Sequence, residues 1–156
     1  MVLLVCVAAL LLQVRSPEEI IKDLSSDDID VRARARGELK KAGKSAIPAL
    51  VRIVDDPDPE VAGSSRLILE EIRYALVLEE AAALVKSGRE RQSRGDLDAA
   101  LADLNKAVDR APRFVDALLA RAAAFQAKGD VARARADFTR AIGLDLESPR
   151  PVLAFA

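Results

Sequence analysis

Histidine and tryptophan are absent from this chain, and Cys6 is its single cysteine. Without histidine and with one thiol, zinc centres of the usual Cys/His kind, histidine general bases, Cys/His dyads and internal disulfides are all excluded. Aromatic residues make up only 3% of the sequence, so a core has to be assembled from Ala, Leu, Val and Ile on closely approaching elements. Neither sign of charge dominates: residues 1–75 carry 11 basic and 13 acidic side chains, and residues 76–156 carry 13 and 12. Affinity for nucleic acid comes largely from phosphate neutralisation, so this balance argues against that function. No Gly-rich phosphate loop follows a strand, and no nucleophile has a neighbouring base. The expectation is a protein that is not an enzyme and uses no cofactor and no metal.

Hydrophobic residues are plentiful, at 51% of the 156 positions, which is too apolar for intrinsic disorder. The longest apolar run is Met1–Leu12. A spanning helix needs about 20 such residues and a signal-peptide core about 7–15, so residues 1–15 read as a signal peptide, or as an apolar N-terminal helix, and no stable membrane span is expected. Acting as a signal, the run implies export to the periplasm or the extracellular space; otherwise the protein is cytoplasmic.

From residue 16 the pattern is helical. Ser16-Pro17-Glu18-Glu19 has the form of a helix start: Ser caps, Pro occupies the first turn, and Glu19 completes a capping box. Ile20, Ile21 and Leu24 form a short stripe, Ser25–Asp28 breaks it, and Val31, Ala35, Leu39 and Ala42 resume at helical spacing until Gly43. The hairpin then recurs 30 residues on: Asp28 maps to Asp58, Asp30 to Glu60, Val31 to Val61, Arg36 to Arg66 and Leu39 to Leu69, with Asp55–Pro59 as the breaker and Gly63 expected to interrupt the second copy. Residues 16–75 therefore resemble short HEAT-like repeats of the kind found in phycobilin-lyase-type proteins, carried by Asp28-x-x-Val31-Arg32-x-x-Ala35 and Ala46-Ile47-Pro48-Ala49-Leu50.

Residues 76–156 repeat with a different offset, 34: Gly95-Asp96 maps to Gly129-Asp130, Ala100 to Ala134, Asp103 to Asp137, Leu104 to Phe138, Ala107 to Ala141, Val108 to Ile142 and Leu84 to Leu118. Gly88 and Ala122 are small enough for the first helix of each pair to approach the flat faces of Ala100/Ala107 and Ala134/Ala141. Residues 81–146 thus resemble two tetratricopeptide repeats, whose period this is, and Ser148–Ala156 reads as the opening of a further, incomplete unit. Gly and Pro are missing from Ser64 to Ser87, where a continuous apolar face predicts one long helix or two with a mild bend.

The two resemblances together imply an all-α, right-handed solenoid of helical hairpins and a non-catalytic scaffold that binds a protein or peptide. In tetratricopeptide proteins the first helix of each pair lines a concave groove, so the resemblance assigns partner contacts to Val85, Arg89, Gln92, Ser93, Asp116, Leu119, Ala123 and Gln126. The family's clamp for acidic C-terminal tails would need Lys, Asn and Asn at Val85, Arg89 and Ala120, and this sequence lacks it. Two alternatives compete. One is a lyase-type accessory role, suggested by the HEAT-like half; the other is nucleic-acid contact through Arg32, Arg36 and Lys40, which recur every four residues, against the simpler reading of a solvated helix face.

Overall fold

The structure is a computed structural model that describes residues 15–147, so the apolar run at 1–12 and the tail from Ser148 lie outside the described residues. Within them every regular element is helical and no strand occurs. The chain divides into two compact units, one ending at Tyr74 and the other beginning at Ala75.

In the first unit, α1 (Pro17–Ile20) tightens into a 3₁₀ turn (Ile21–Ser25), α2 (Ile29–Ala42) follows, and a second 3₁₀ turn (Gly43–Ala46) leads into α3 (Ile47–Arg52). The expected capping box is present: the Glu19 amide donates to Ser16 Oγ at 3.3 Å and the Ser16 amide to the Glu19 carboxylate at 2.8 Å. Gly43 ends α2 with φ +56°, a left-handed conformation that glycine adopts without a Cβ penalty.

The 30-residue offset survives as hydrogen-bond geometry. Asp28 Oδ1 accepts from the Asp30 amide at 2.8 Å, and Asp58 Oδ1 from the Glu60 amide at 2.8 Å. One step earlier, the Ser26 amide donates to the Asp23 carbonyl and the Asp56 amide to the Ile53 carbonyl, both at 3.3 Å. The core of this unit is built on Leu24, Leu39, Leu50 and Ile68, each under 2% exposed. Ser65, standing where the first copy has Ala35, is just as buried; its hydroxyl lies 2.8 Å from the Ala62 carbonyl and 3.2 Å from that of Ile53, so its proton always has an acceptor.

α4 (Pro59–Ser93) starts in the first unit and carries the chain into the second as one uninterrupted helix. The expected break at Gly63 does not occur. A helical glycine costs about 1 kcal/mol relative to alanine, far less than a helix gains by burying Val61, Ala62, Ile68, Leu69 and Ile72.

The second unit continues with α5 (Leu97–Arg110), α6 (Val115–Ala127) and α7 (Val131–Glu147). Its 34-residue offset is likewise structural. Gly95 and Gly129 take φ +85° and +83°; the Asp96 and Asp130 amides donate to the carbonyls of Arg91 and Phe125; and Asp96 and Asp130 cap the next helix by accepting from the Ala99 and Arg133 amides. These three-residue connections make each helix pair an antiparallel hairpin. Ala100, Ala107, Ala122, Ala134 and Ala141 are all buried, the flat faces that the sequence requires.

Candidate partner-binding surface

Two polar clusters fix the helices that carry the candidate surface. Asp137, 6% exposed, accepts both prongs of the Arg121 guanidinium, from Nε at 2.7 Å and Nη2 at 2.8 Å, while Arg121 Nη1 donates to Asn105 at 3.1 Å. Asp103, its counterpart in the preceding copy, accepts from Ser87 Oγ at 2.7 Å and pairs with Arg91 at 2.9 Å. Ser87 and Arg121 are themselves 34 residues apart, so one buried carboxylate per copy is held from the same position of the facing helix. The bond to Asp137 raises the Arg121 pKa further above its ordinary value. Only the pairing of Asp103 with Asp137 is legible in the offset; that their partners differ is not.

On α6, Ala117, Leu118, Ala120, Ala122, Ala124 and Phe125 are buried. Asp116, Leu119 and Gln126 are exposed and Ala123 is half-buried between them, at spacings of three, four and three residues. This is one narrow row along an otherwise enclosed helix. Leu119, 38% exposed, is the large apolar residue in it. On α4 a second exposed row runs through Ala82, Lys86, Arg89 and Ser93, with Gln92 half-buried beside it. Neither Arg89 nor Asp116 has an ion-pair partner among the described residues.

Val85 needs correction as a surface residue. It is 4% exposed and belongs to the core cluster of the second unit. Ala81, Val85 and Gly88 follow at four- and three-residue spacing and are all buried, so this row faces the core, with Leu84 half-buried at its edge. Gly88 does face inward, against Leu104, but placing Val85 on the outward side is off by about one residue's rotation. The apolar part of the candidate surface therefore reduces to Leu119 and Ala123.

The cationic stripe of α2 is committed within its own unit. Arg32 donates to the Ser26 carbonyl at 2.6 Å and pairs with Glu60 at 2.8 Å; Arg36 donates to Ser64 at 2.8 Å; and Lys40 pairs with Glu71. These contacts tie α2 to α4. Asp55–Glu60 is likewise occupied locally, Asp56 and Asp58 accepting backbone amides as turn and cap. Among the described residues no group of three or more acidic, His or Cys side chains could hold a metal ion.

At the second hairpin turn, the Arg133 amide and then the Arg133 side chain donate to Asp130 and hold its carboxyl below the ordinary aspartate range. A carboxylate with a depressed folded-state pKa adds stability above its unfolded-state pKa, and that stability is lost as pH falls through the folded value. Asp130→Asn is therefore expected to flatten the acid limb of stability against pH in denaturant titrations, with little change in the limb above neutrality.

No protein-family model, curated protein or solved structure matches the chain.

Proposed function

We propose that the protein is a non-catalytic scaffold, HEAT-like over 16–75 and tetratricopeptide-like over 76–156, stacked as a right-handed α-solenoid. It holds a partner protein along the Asp116–Gln126 row and the Arg89–Ser93 row. Export through residues 1–12 belongs to the same reading. The observation that carries it is α6: a helix enclosed on its other sides keeps one contiguous row open, and that row mixes an apolar anchor, Leu119, with Asp116 and Gln126. Repeat stacks bind extended or helical peptides along such rows. The partner segment that fits has one apolar anchor, for Leu119 and Ala123, flanked by charges of both signs, for Arg89 and Asp116.

Truncating an interface hot spot costs about 2 kcal/mol or more, which is over tenfold in affinity. With a partner captured on the full chain, the double substitution Arg89→Ala, Leu119→Ala is expected to weaken binding more than tenfold by calorimetry at unchanged helicity. Arg36→Ala with Lys40→Ala should change it little, since those side chains are spent on Ser64, Glu60 and Glu71. The reverse ranking would move the site to the first unit.

A further inference from the structure

The long helix α4 is buried in two stretches that are out of step with each other. In the first unit Val61, Ser65, Ile68 and Ile72 are buried at spacings of four, three and four residues, and in the second Ala81, Val85 and Gly88 at four and three. Ile72 and Ala81 stand nine residues apart, about two and a half turns, so the second stripe does not continue the first. Carried on at its own spacing, the first stripe would run through Leu76, Glu79, Ala83 and Lys86; Leu76 is half-buried and the other three are exposed. From Arg73 to Glu80 no residue is buried. Val77 and Leu78 are half-buried against the core of the second unit, and Tyr74 is 59% exposed. The backbone stays helical throughout. Residues 73–76 thus form one turn of helix that neither buried stripe includes.

Starting a helix is unfavourable, because its first turn fixes three residues for one hydrogen bond, and the nucleation constant is about 10⁻³; extending a helix that already exists adds one bond per residue fixed. With one unit folded, its part of α4 is already a nucleus, and the other part grows from it through 73–76. With that unit unfolded, the other has to start its part of α4 afresh. Two separate helices would carry the nucleation factor twice, and a single one carries it once. The continuous helix therefore favours the two units being folded together by up to about a thousandfold. Arg73, Tyr74, Ala75 and Leu76 include neither Gly nor Pro, so nothing in this turn interrupts propagation.

We propose that the unbroken backbone of α4 across 73–76 couples the two units, so that order in one is a condition of order in the other. Anything that tightens or loosens one unit is then felt in the other, whatever the protein binds. The test uses the full chain in rising urea, with pulsed hydrogen exchange read by mass spectrometry in proteolytic peptides of α2 and α6, one helix from each unit. In the wild type both helices are expected to lose protection at one midpoint. Leu39→Ala, a core change in the first unit, should lower both midpoints together. Ala75→Pro removes a backbone N–H and sets its ring against the carbonyl four residues back, at an exposed position. It is expected to separate the midpoints, after which Leu39→Ala lowers that of α2 alone. Should the proline variant not fold, Ala75→Gly weakens propagation about fivefold and is expected to shrink the shift that Leu39→Ala causes in α6; an undiminished shift would count against the proposal. Different midpoints in the wild type, with Leu39→Ala moving α2 alone, would overturn it. So would a shared midpoint that persists in Ala75→Pro, since the coupling would then not run through α4.

Discussion

Gly88→Ala is expected to lower the melting temperature and Gly63→Ala to raise it, although both glycines sit inside α4. The propensity gain is the same in each case, up to about 1 kcal/mol for replacing a helical glycine. At Gly63 nothing lies within 4 Å of the new methyl, so the gain is kept. At Gly88 the methyl would sit 2.6 Å from Leu104 Cγ, 2.9 Å from its Cδ2 and 3.3 Å from the Ala100 carbonyl oxygen. Leu104 is fully buried and has no solvent to turn into, and the carbonyl belongs to the α5 backbone. Overpacking of this kind costs about 1–3 kcal/mol, which outweighs the propensity term. Gly88→Leu brings three further carbons into the same gap and should cost more than 3 kcal/mol. At about 2–4 °C per kcal/mol for a chain of this size, thermal unfolding followed by circular dichroism resolves both signs. A Gly88→Leu variant that melts with the wild type would show that α4 and α5 do not meet at this point.

Removing the Arg121–Asp137 pair one side at a time should give two unequal losses. Breaking a buried, bidentate pair leaves an uncompensated charge and costs about 3–5 kcal/mol. The two side chains do not share that cost evenly, because Arg121 retains 17% side-chain exposure and a long stem, whereas the Asp137 side chain is 9% exposed on a short one. After Asp137→Ala the guanidinium can lift toward water. After Arg121→Ala the carboxylate cannot, and the more distant of the two cations over Phe125 is lost as well, 5.9 Å from the ring centre against 4.5 Å for Arg133. Arg121→Ala is expected to be the more destabilising by about 1 kcal/mol or more, and the double variant to fall short of the sum, as coupled pairs do. Equal, additive losses in urea titrations would mean that the fork does not bear on stability.

Much of this architecture is legible before any coordinates. Caps and breakers act through local geometry: Ser16 with Glu19, Asp28, Asp58, Gly43, Gly95 and Gly129 all end or begin helices where their chemistry says they should. Those rules depend only on neighbours in sequence. Rotation about a helix axis is harder to read. Val85 and Leu84 are adjacent and both apolar, so spacing alone cannot say which lies at the centre of the buried row, and an error of one position moves a residue from core to surface. The open row on α6 is readable for the opposite reason, since Asp116 and Gln126 are polar among Ala and Leu. Hardest of all are Arg121 with Asp137 and Ser87 with Asp103, whose members lie 16 residues apart on different helices. The commitment of Arg32, Arg36 and Lys40 to Glu60, Ser64 and Glu71 is hidden in the same way, by partners on another element.

The two carboxylates at Asp103 and Asp137 also limit how the copies can drift. Each needs a cation, and each draws it from a different level of the facing helix. Asp103 draws on Arg91, where the later copy has Phe125, and Asp137 on Arg121, where the earlier copy has Ser87. Changing Arg121 to the serine of its counterpart strands one acid, and changing Arg91 to phenylalanine strands the other. Each copy can be converted into its sister without stranding its acid only in one order, the new cation being installed before the old one is removed. The repeats are alike in backbone and yet not interchangeable, and a sequence averaged over the two would inherit neither solution.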